Sequence, residues 1–153
     1  MMQLSRFFSL EQLIHSETAL ERGIDNQPGI AILDNLRILA AGLDEVQLLL
    51  GYPLQISSGY RSPALNDAVG GTAHSQHCQG LAADFDCPQY GSPMQVAQAI
   101  AASAIAFDQC IMEFGRWVHL SFSTSPRRRV MSIYDSSQGY LAGLVLPDGT
   151  QLA

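Results

Sequence analysis

The sequence predicts an α+β fold in which N-terminal helices pack on a small antiparallel sheet. Apolar residues at helical spacing dominate the first half of the chain, and segments that alternate apolar with polar residues follow in the second half. Helices that precede strands, rather than alternating with them, are typical of α+β architecture. We expect a single domain over residues 1–153, with a core at about 8–122 and a C-terminal strand extension at about 123–153.

The predicted helices have recognisable start signals. Ser9 and Gln12 form a capping box, and the helix that they open should end near residues 22–23. Asn26 and Pro28 mark the start of a second, longer helix. Its apolar stripe has 3-4-3-4 spacing and comprises Leu36, Leu39, Leu43, Val46 and Leu50. A second capping box at residues 92–95 opens a helix that should end near Ala106.

Alternating segments predict the strands. They are residues 54–58, 81–86, 110–114, 117–123, 129–134 and 140–146, with a hairpin turn at Gly115-Arg116. Between the first two lies a stretch at 59–80 that is rich in Gly, Ser, Asn, His and Gln. A loop of that length in a small domain is usually functional.

Charge and composition exclude several functions. The net charge is −6 and all eight basic residues are arginines, which disfavours electrostatic binding of nucleic acid. The longest apolar runs are too short to span a membrane, so we expect no membrane insertion. The segment MMQLSRFFSLEQ does not resemble a secretory signal, and we expect synthesis in the cytoplasm. Three cysteines (Cys78, Cys87 and Cys110) are too few for a disulfide framework, and their spacing matches no CxxC metal motif.

Three residues form a candidate metal site. His77 and Asp84 are seven positions apart, and Asp84 lies on the polar face of its predicted strand. His119 lies on the polar face of a different strand. Two histidines and a carboxylate suit a catalytic zinc ion, which leaves one tetrahedral position for water and can activate that water for amide hydrolysis. The same residues are also compatible with a loop histidine, a capping carboxylate and a hydrogen-bonded sheet histidine.

The sequence resembles a known family in three places. They are the pattern S-x-H-x2-G-x-A-x-D at residues 75–84, the segment SGYRSP at 58–63, and Trp-Val-His at 117–119. These motifs are similar to those of the zinc D-Ala-D-Ala carboxypeptidases, a family that includes L-Ala-D-Glu endopeptidases of phage lysins and shares its fold with hedgehog domains. The resemblance covers about residues 8–122. The segment FSLEQLIHSETA and the loop at 66–71 resemble the phage-type branch.

The resemblance implies a role for several residues. It implies that one zinc ion per chain is held by His77, Asp84 and His119. Arg61 matches the arginine that holds the substrate and stabilises the oxyanion, although a loop-pinning salt bridge is an alternative. Ser75 matches a polar residue that hydrogen-bonds near the site, and it is equally suited to cap the turn around the first ligand. Independently of the family, His74 is a candidate substrate-binding residue or a solvated loop histidine.

The general base is the point at which the sequence departs from the family. Many members have Glu or Asp three residues before the last histidine ligand, whereas this chain has Arg116, which cannot accept a proton. Glu113 is the nearest carboxylate, and we predict that it is the base. The alternatives are that Glu113 pairs with Arg116 at a strand edge, or that Asp86 is the base.

The hairpin register decides whether Glu113 can act. A two-residue loop at 115–116 pairs Met112 with His119 and turns Glu113 to the opposite face. A three-residue loop at 115–117 pairs Glu113 with His119 on one face, beside the predicted metal.

These observations together predict a zinc metallopeptidase that cleaves peptidoglycan stem peptides, as a D-Ala-D-Ala carboxypeptidase or an endopeptidase of phage or prophage origin. We expect a monomer that acts on the cell wall once released. The alternative is a catalytically weak or inactive zinc-containing module that binds the wall or has a structural role in the phage. The triple arginine at 127–129 is interpreted as a solvated strand edge, with binding of anionic wall polymers or phosphate as the other interpretation.

Overall fold

The computed structural model describes residues 2–152 and has the predicted α+β architecture. The helices are α1 (Leu10–Ile14), α2 (Glu17–Arg22), α3 (Ile30–Leu50), α4 (Pro63–Ala68), a 3-10 helix (Gln76–Gln79) and α5 (Pro93–Ala101). The strands are β1 (Gln55–Ser58), β2 (Ala82–Asp86), β3 (Gln109–Glu113), β4 (Trp117–Ser121), β5 (Arg129–Ile133) and β6 (Leu141–Ala142).

The six strands form one sheet in the order β1-β2-β4-β3-β5-β6. All neighbours are antiparallel except β3 and β5, which run parallel, so the sheet is mixed rather than wholly antiparallel. The chain leaves β4 at the end where β3 begins and crosses to the other side of β3 through residues 122–128. β5 therefore begins beside the first residue of β3 and runs in the same direction as β3.

The predicted first helix is two helices. His15 has an extended backbone (ψ 134°), and the Ser16 side chain accepts a hydrogen bond from Ala19 N, which starts α2. The prediction of one continuous helix is therefore wrong at residues 15–16, where the helix is interrupted. The predicted end near residues 22–23 is confirmed, because Gly23 ends α2 in the left-handed conformation. A serine that can cap a new helix competes with continuation of the old one.

Other predicted boundaries also shift. The long helix begins at Ile30 rather than at Asn26, and α5 ends at Ala101 rather than near Ala106. The segment 59–80 is not a continuous loop, because α4 and the 3-10 helix lie within it. A Ser62-Pro63 start signal, with Ser62 Oγ accepting from Leu65 N, explains α4. The last predicted strand, 140–146, is paired over only two residues in β6.

The apolar side chains of α3 and the sheet form the core. All five residues of the predicted stripe on α3 are buried. They pack with Phe85, Met112, Val118, Leu120 and Leu144, the last of which lies after β6. The three cysteines are free thiols, and Cys87 and Cys110 are buried in this core. Among residues 2–152, no helix combines the length and apolar character that crossing a membrane requires.

Candidate metal centre

The structure brings His77, Asp84 and His119 together. One ligand atom from each residue lies within 4.8 Å of the other two. Asp84 on β2 is directly opposite His119 on β4, while the 3-10 helix places His77 over the same carboxylate. Asp84 Oδ1 is 3.2 Å from His77 Nε2 and 3.0 Å from His119 Nδ1.

This cluster fits a zinc ion. Two ligands that each lie about 2.0–2.1 Å from a tetrahedral zinc are about 3.3 Å from one another, close to the separations between Asp84 and the two histidines. His77 Nδ1 faces Gly59 O at 2.7 Å and His77 Nε2 faces the Asp84 carboxylate, so both ring nitrogens face acceptors. A neutral imidazole has only one N–H, and a cation between Nε2 and the carboxylate satisfies the remaining contact.

The electrostatics of Asp84 favour its charged form. Burial alone would raise its pKa, but the hydrogen bonds with His119 and His77 more than offset burial and hold the pKa below its usual range. Asp84 is therefore ionised at neutral pH, as a metal ligand must be.

The local backbone around His77 is fixed by small residues. Ser75 Oγ accepts a hydrogen bond from His77 N, so Ser75 caps the 3-10 helix, one of its two predicted roles. Gly80 ends that helix in the left-handed conformation (φ 73°). Gly59 lies so close to α1 that a Cβ there would overlap the carbonyl oxygen of Leu13. Sequence reasoning missed Gly59, whose carbonyl orients the His77 ring.

Both predicted hairpin registers are wrong. Ile111 is opposite His119 and Glu113 is opposite Trp117, with residues 114–116 in the turn. Because Glu113 and His119 nevertheless lie on the same face of the sheet, the Glu113 side chain lines the cleft over the metal cluster.

The turn conformation explains the register. Phe114 (φ 59°) and Gly115 (φ 67°) are both left-handed, and Arg116 N donates to Glu113 O at 3.0 Å. These are the dihedral signs of a type I′ turn, which favours Asn or Gly rather than phenylalanine at its first central position. The sequence therefore offers no signal that the turn begins at Phe114.

Trp117 holds the Glu113 carboxylate. The indole Nε1 donates to Glu113 Oε1 at 2.7 Å, and the Phe114 ring packs edge-on against Trp117. Arg116 is exposed and forms no ion pair with Glu113 among the described residues. Burial raises the pKa of Glu113, and the nearby Asp84 charge raises it further. His119, the Trp117 hydrogen bond and His77 lower it, and the net result is a raised pKa. A raised pKa makes the carboxylate a better proton acceptor near neutral pH.

Arg61 also lines the cleft. Its Nε is buried and lacks a hydrogen-bond partner, and its guanidinium forms no ion pair within residues 2–152, so the predicted alternative of a loop-pinning salt bridge is not found. The backbone is well held, because Arg61 N donates to His77 O. Asn26 Nδ2 donates to Tyr60 O, and its Oδ1 accepts from Ser62 N. The guanidinium is thus a donor on a well-held backbone, and it has no acceptor within residues 2–152.

The candidate metal cluster, His77, Asp84 and His119, lines a cleft of about 980 Å³. The predicted substrate residues His74 and Ser75 line it, whereas Asp86 is not among its lining residues in the described chain. A second wall comes from β3, β5, β6 and the segments next to them. Its residues are Gln109, Ile111, Arg127, Arg129, Val130, Met131, Tyr140 and Ala142.

The three consecutive arginines have different roles, so the prediction of a merely solvated strand edge is wrong. Arg127 forms a bidentate ion pair with Asp108, at 2.9 and 2.8 Å. Arg128 donates to the carbonyl of Ala101 at the end of α5 and to those of Ser103 and Ile105 after it, and it stacks on Phe107. Arg129 begins β5 and lines the cleft.

We expect Asp108→Asn to lower the free energy of unfolding by about 2 kcal/mol at pH 7, since Asp108 is buried and Arg127 would lose its ionic partner. The Arg127 guanidinium holds the pKa of Asp108 at about 2, below its value of about 3.9 in an unfolded chain. The stabilisation is therefore complete above about pH 4 and disappears as the pH falls through about 2.

Denaturant titrations of both proteins from pH 2 to 7 test this prediction. Asp34→Asn, at an exposed position on α3, is the control and should change stability by less than about 0.5 kcal/mol. A difference between wild type and Asp108→Asn that stays constant down to pH 2 would contradict the assignment.

Two histidines, an aspartate and a glutamate that line one cleft are residue types that a zinc metallopeptidase uses in its active site. A family model described as Peptidase M15 matches residues 6–121. The chain belongs to this family of zinc-dependent peptidases, which are similar to D-Ala-D-Ala carboxypeptidases. No curated protein matches the chain.

Proposed function

We propose that this protein is a zinc-dependent hydrolase of peptide bonds in peptidoglycan stem peptides, with a D-Ala-D-Ala carboxypeptidase or endopeptidase specificity. The observation that carries the proposal is the placement of Glu113 on the same sheet face as the His77–Asp84–His119 cluster, inside one cleft. Family membership supports the reaction class, and the resemblance of the motifs to wall-cleaving members supports the substrate class.

Each side chain of the cleft has a chemical role in this proposal. His77, Asp84 and His119 would hold zinc, which supplies a Lewis acid that activates water and polarises the scissile carbonyl. Glu113 accepts the proton of the attacking water and returns it to the leaving amine. Arg61 donates to the developing oxyanion or to a substrate carboxylate. Trp117 keeps Glu113 in position through its indole N–H.

We also propose that the segment after residue 121 belongs to the same domain and that the protein acts as a monomer. Leu144 lies in the same buried cluster as the α3 stripe, which supports the single domain. A phage or prophage origin, with action on the cell wall after release, is part of the proposal and depends on the resemblance to the phage-type branch.

The alternative function is an inactive zinc-containing module, suggested by Arg116 in place of the usual acid. Two observations favour the enzyme. Glu113 lines the cleft instead of pairing with Arg116, and Arg116 is exposed on the hairpin turn.

The proposed function is tested on purified peptidoglycan. We expect zinc-loaded protein to release new peptide termini, chelation to abolish the release, and added Zn²⁺ to restore it. Metal analysis of the same samples should give one zinc per chain. Zinc binding without release of termini from any stem-peptide type would favour the inactive module.

A further inference from the structure

The metal cluster is continued across the sheet by an apolar row. His119 on β4 is opposite Ile111 on β3, which is opposite Met131 on β5, which is opposite Ala142 on β6. All four residues line the cleft. The floor that extends away from the metal is therefore apolar and suited to small side chains such as methyl groups.

One row further along the same strands, the cleft carries a positive charge. Gln109 on β3 and Arg129 on β5 are opposite one another, and both line the cleft. Three arginines line the cleft. Arg61 lies beside the metal cluster and its backbone N–H donates to His77 O, Arg127 is neutralised by Asp108, and the Arg129 side chain has no ion pair or hydrogen bond within residues 2–152. Arg129 is exposed and therefore available to a ligand.

The sheet geometry sets the distance from this charge to the metal cluster. Arg129 is two strands and two residues away from His119. With strands about 4.8 Å apart and a rise of about 3.3 Å per residue, the two Cα atoms are about 12 Å apart. An extended peptide covers that distance in about three residues.

We propose that Arg129 is a specificity-determining residue that binds a free carboxylate of the peptide substrate, about three residues from the scissile bond. The substrate class is an acidic peptide that runs along the Ile111–Met131–Ala142 row, where small apolar side chains such as that of D-alanine can pack. This inference rests on the proposed function and deepens it. β5 and β6 lie after the residues that the family model matches, so this contact belongs to the part of the chain beyond the family motifs.

Arginine suits this role because its guanidinium can bind a carboxylate through two parallel hydrogen bonds. The net charge of the protein is −6, so an unpaired cation in the cleft gives an anionic substrate a local site that the rest of the surface disfavours. An exposed charge is screened by salt, so the preference should weaken as ionic strength rises.

A pair of stem pentapeptides tests the inference, one with the α-carboxylate of its D-glutamate residue free and one with that group amidated. Binding is measured in zinc-loaded Glu113→Gln protein, which retains an acceptor for the Trp117 indole. Trp117, the only tryptophan, lines the cleft and its fluorescence reports occupancy. We expect the free-carboxylate peptide to bind about tenfold more tightly than the amide, about 1.4 kcal/mol.

Introducing Arg129→Gln into the Glu113→Gln protein should remove this preference, because it weakens only the binding of the free-carboxylate peptide. Arg37→Gln, an exposed position on α3, should leave it unchanged. A tenfold preference that survives Arg129→Gln, or no preference with Arg129 present, overturns the inference. Hydrolysis of the two peptides by the wild type is a separate readout. Retained preference without hydrolysis would contradict the proposed function and leave the role of Arg129 supported.

Discussion

Glu113→Gln is expected to lower kcat on stem peptides by about 10²–10⁴-fold, the range that general acid–base catalysis contributes. The amide that replaces the carboxylate cannot act as a base, but its oxygen can still accept the hydrogen bond from Trp117. Zinc content should be unchanged, because Glu113 is not among the three residues of the metal cluster. Steady-state kinetics and metal analysis on the same preparation measure both quantities.

Asp86→Asn is the control for this prediction. Asp86 is the other acid on the face of Asp84 along β2, but it is not a lining residue of the described cleft. We expect Asp86→Asn to retain most of the activity. If Asp86→Asn were inactive and Glu113→Gln active, the assignment of the base would be wrong even though the protein is a peptidase.

His77→Ala is expected to lower zinc affinity by several orders of magnitude, because it removes one of the three proposed ligands and would leave an incomplete coordination sphere. A ligand that binds only the folded state stabilises it by about 4 kcal/mol when present at about 1,000 times its Kd. The wild type should therefore gain thermal stability on addition of Zn²⁺, and His77→Ala should gain little. Competition with a chromogenic chelator and thermal melts with and without Zn²⁺ give the two measurements.

His74→Ala provides the matched histidine control. His74 lies three residues earlier in the same segment and lines the same cleft, but it is outside the metal cluster. Its removal should leave zinc affinity and the zinc-dependent gain in stability unchanged. Equal loss of zinc affinity in both variants would show that the ligand set is wrongly assigned.

The candidate metal ligands could be predicted from the sequence because their signals are local. Asp84 and His119 each occupy a polar position in an alternating strand, and His77 belongs to a dense motif. The structure brings these three residues together, while their role as ligands stays a prediction.

The hairpin register and the roles of the arginines could not be predicted in the same way. The register depends on Phe114, which adopts a left-handed conformation that the residue type disfavours. The separate partners of Arg127, Arg128 and Arg129 depend on α5 and β3, elements that are distant in sequence. The sequence alone does not distinguish the contacts of three consecutive arginines.

The break between α1 and α2 shows a further limit. Neither His15 nor Ser16 is a residue type that must end a helix. The first helix ends there because the Ser16 side chain caps α2 instead. Choosing between two local hydrogen-bonding patterns of similar strength requires the tertiary contacts that favour one of them.

The two walls of the cleft differ in the way they are bonded to the rest of the molecule, and this difference bears on how a substrate enters. Asn26 binds the carbonyls of Ile14 and Tyr60 and the amide of Ser62, so the Arg61 wall is joined to the N-terminal helices. The opposite wall ends in β6, a two-residue strand at the edge of the sheet. Local opening is cheapest where few backbone hydrogen bonds must break, so amides of β6 should exchange with solvent faster than those around Arg61. A peptide substrate would then enter from the Tyr140 side, while the Arg61 side keeps its position during binding.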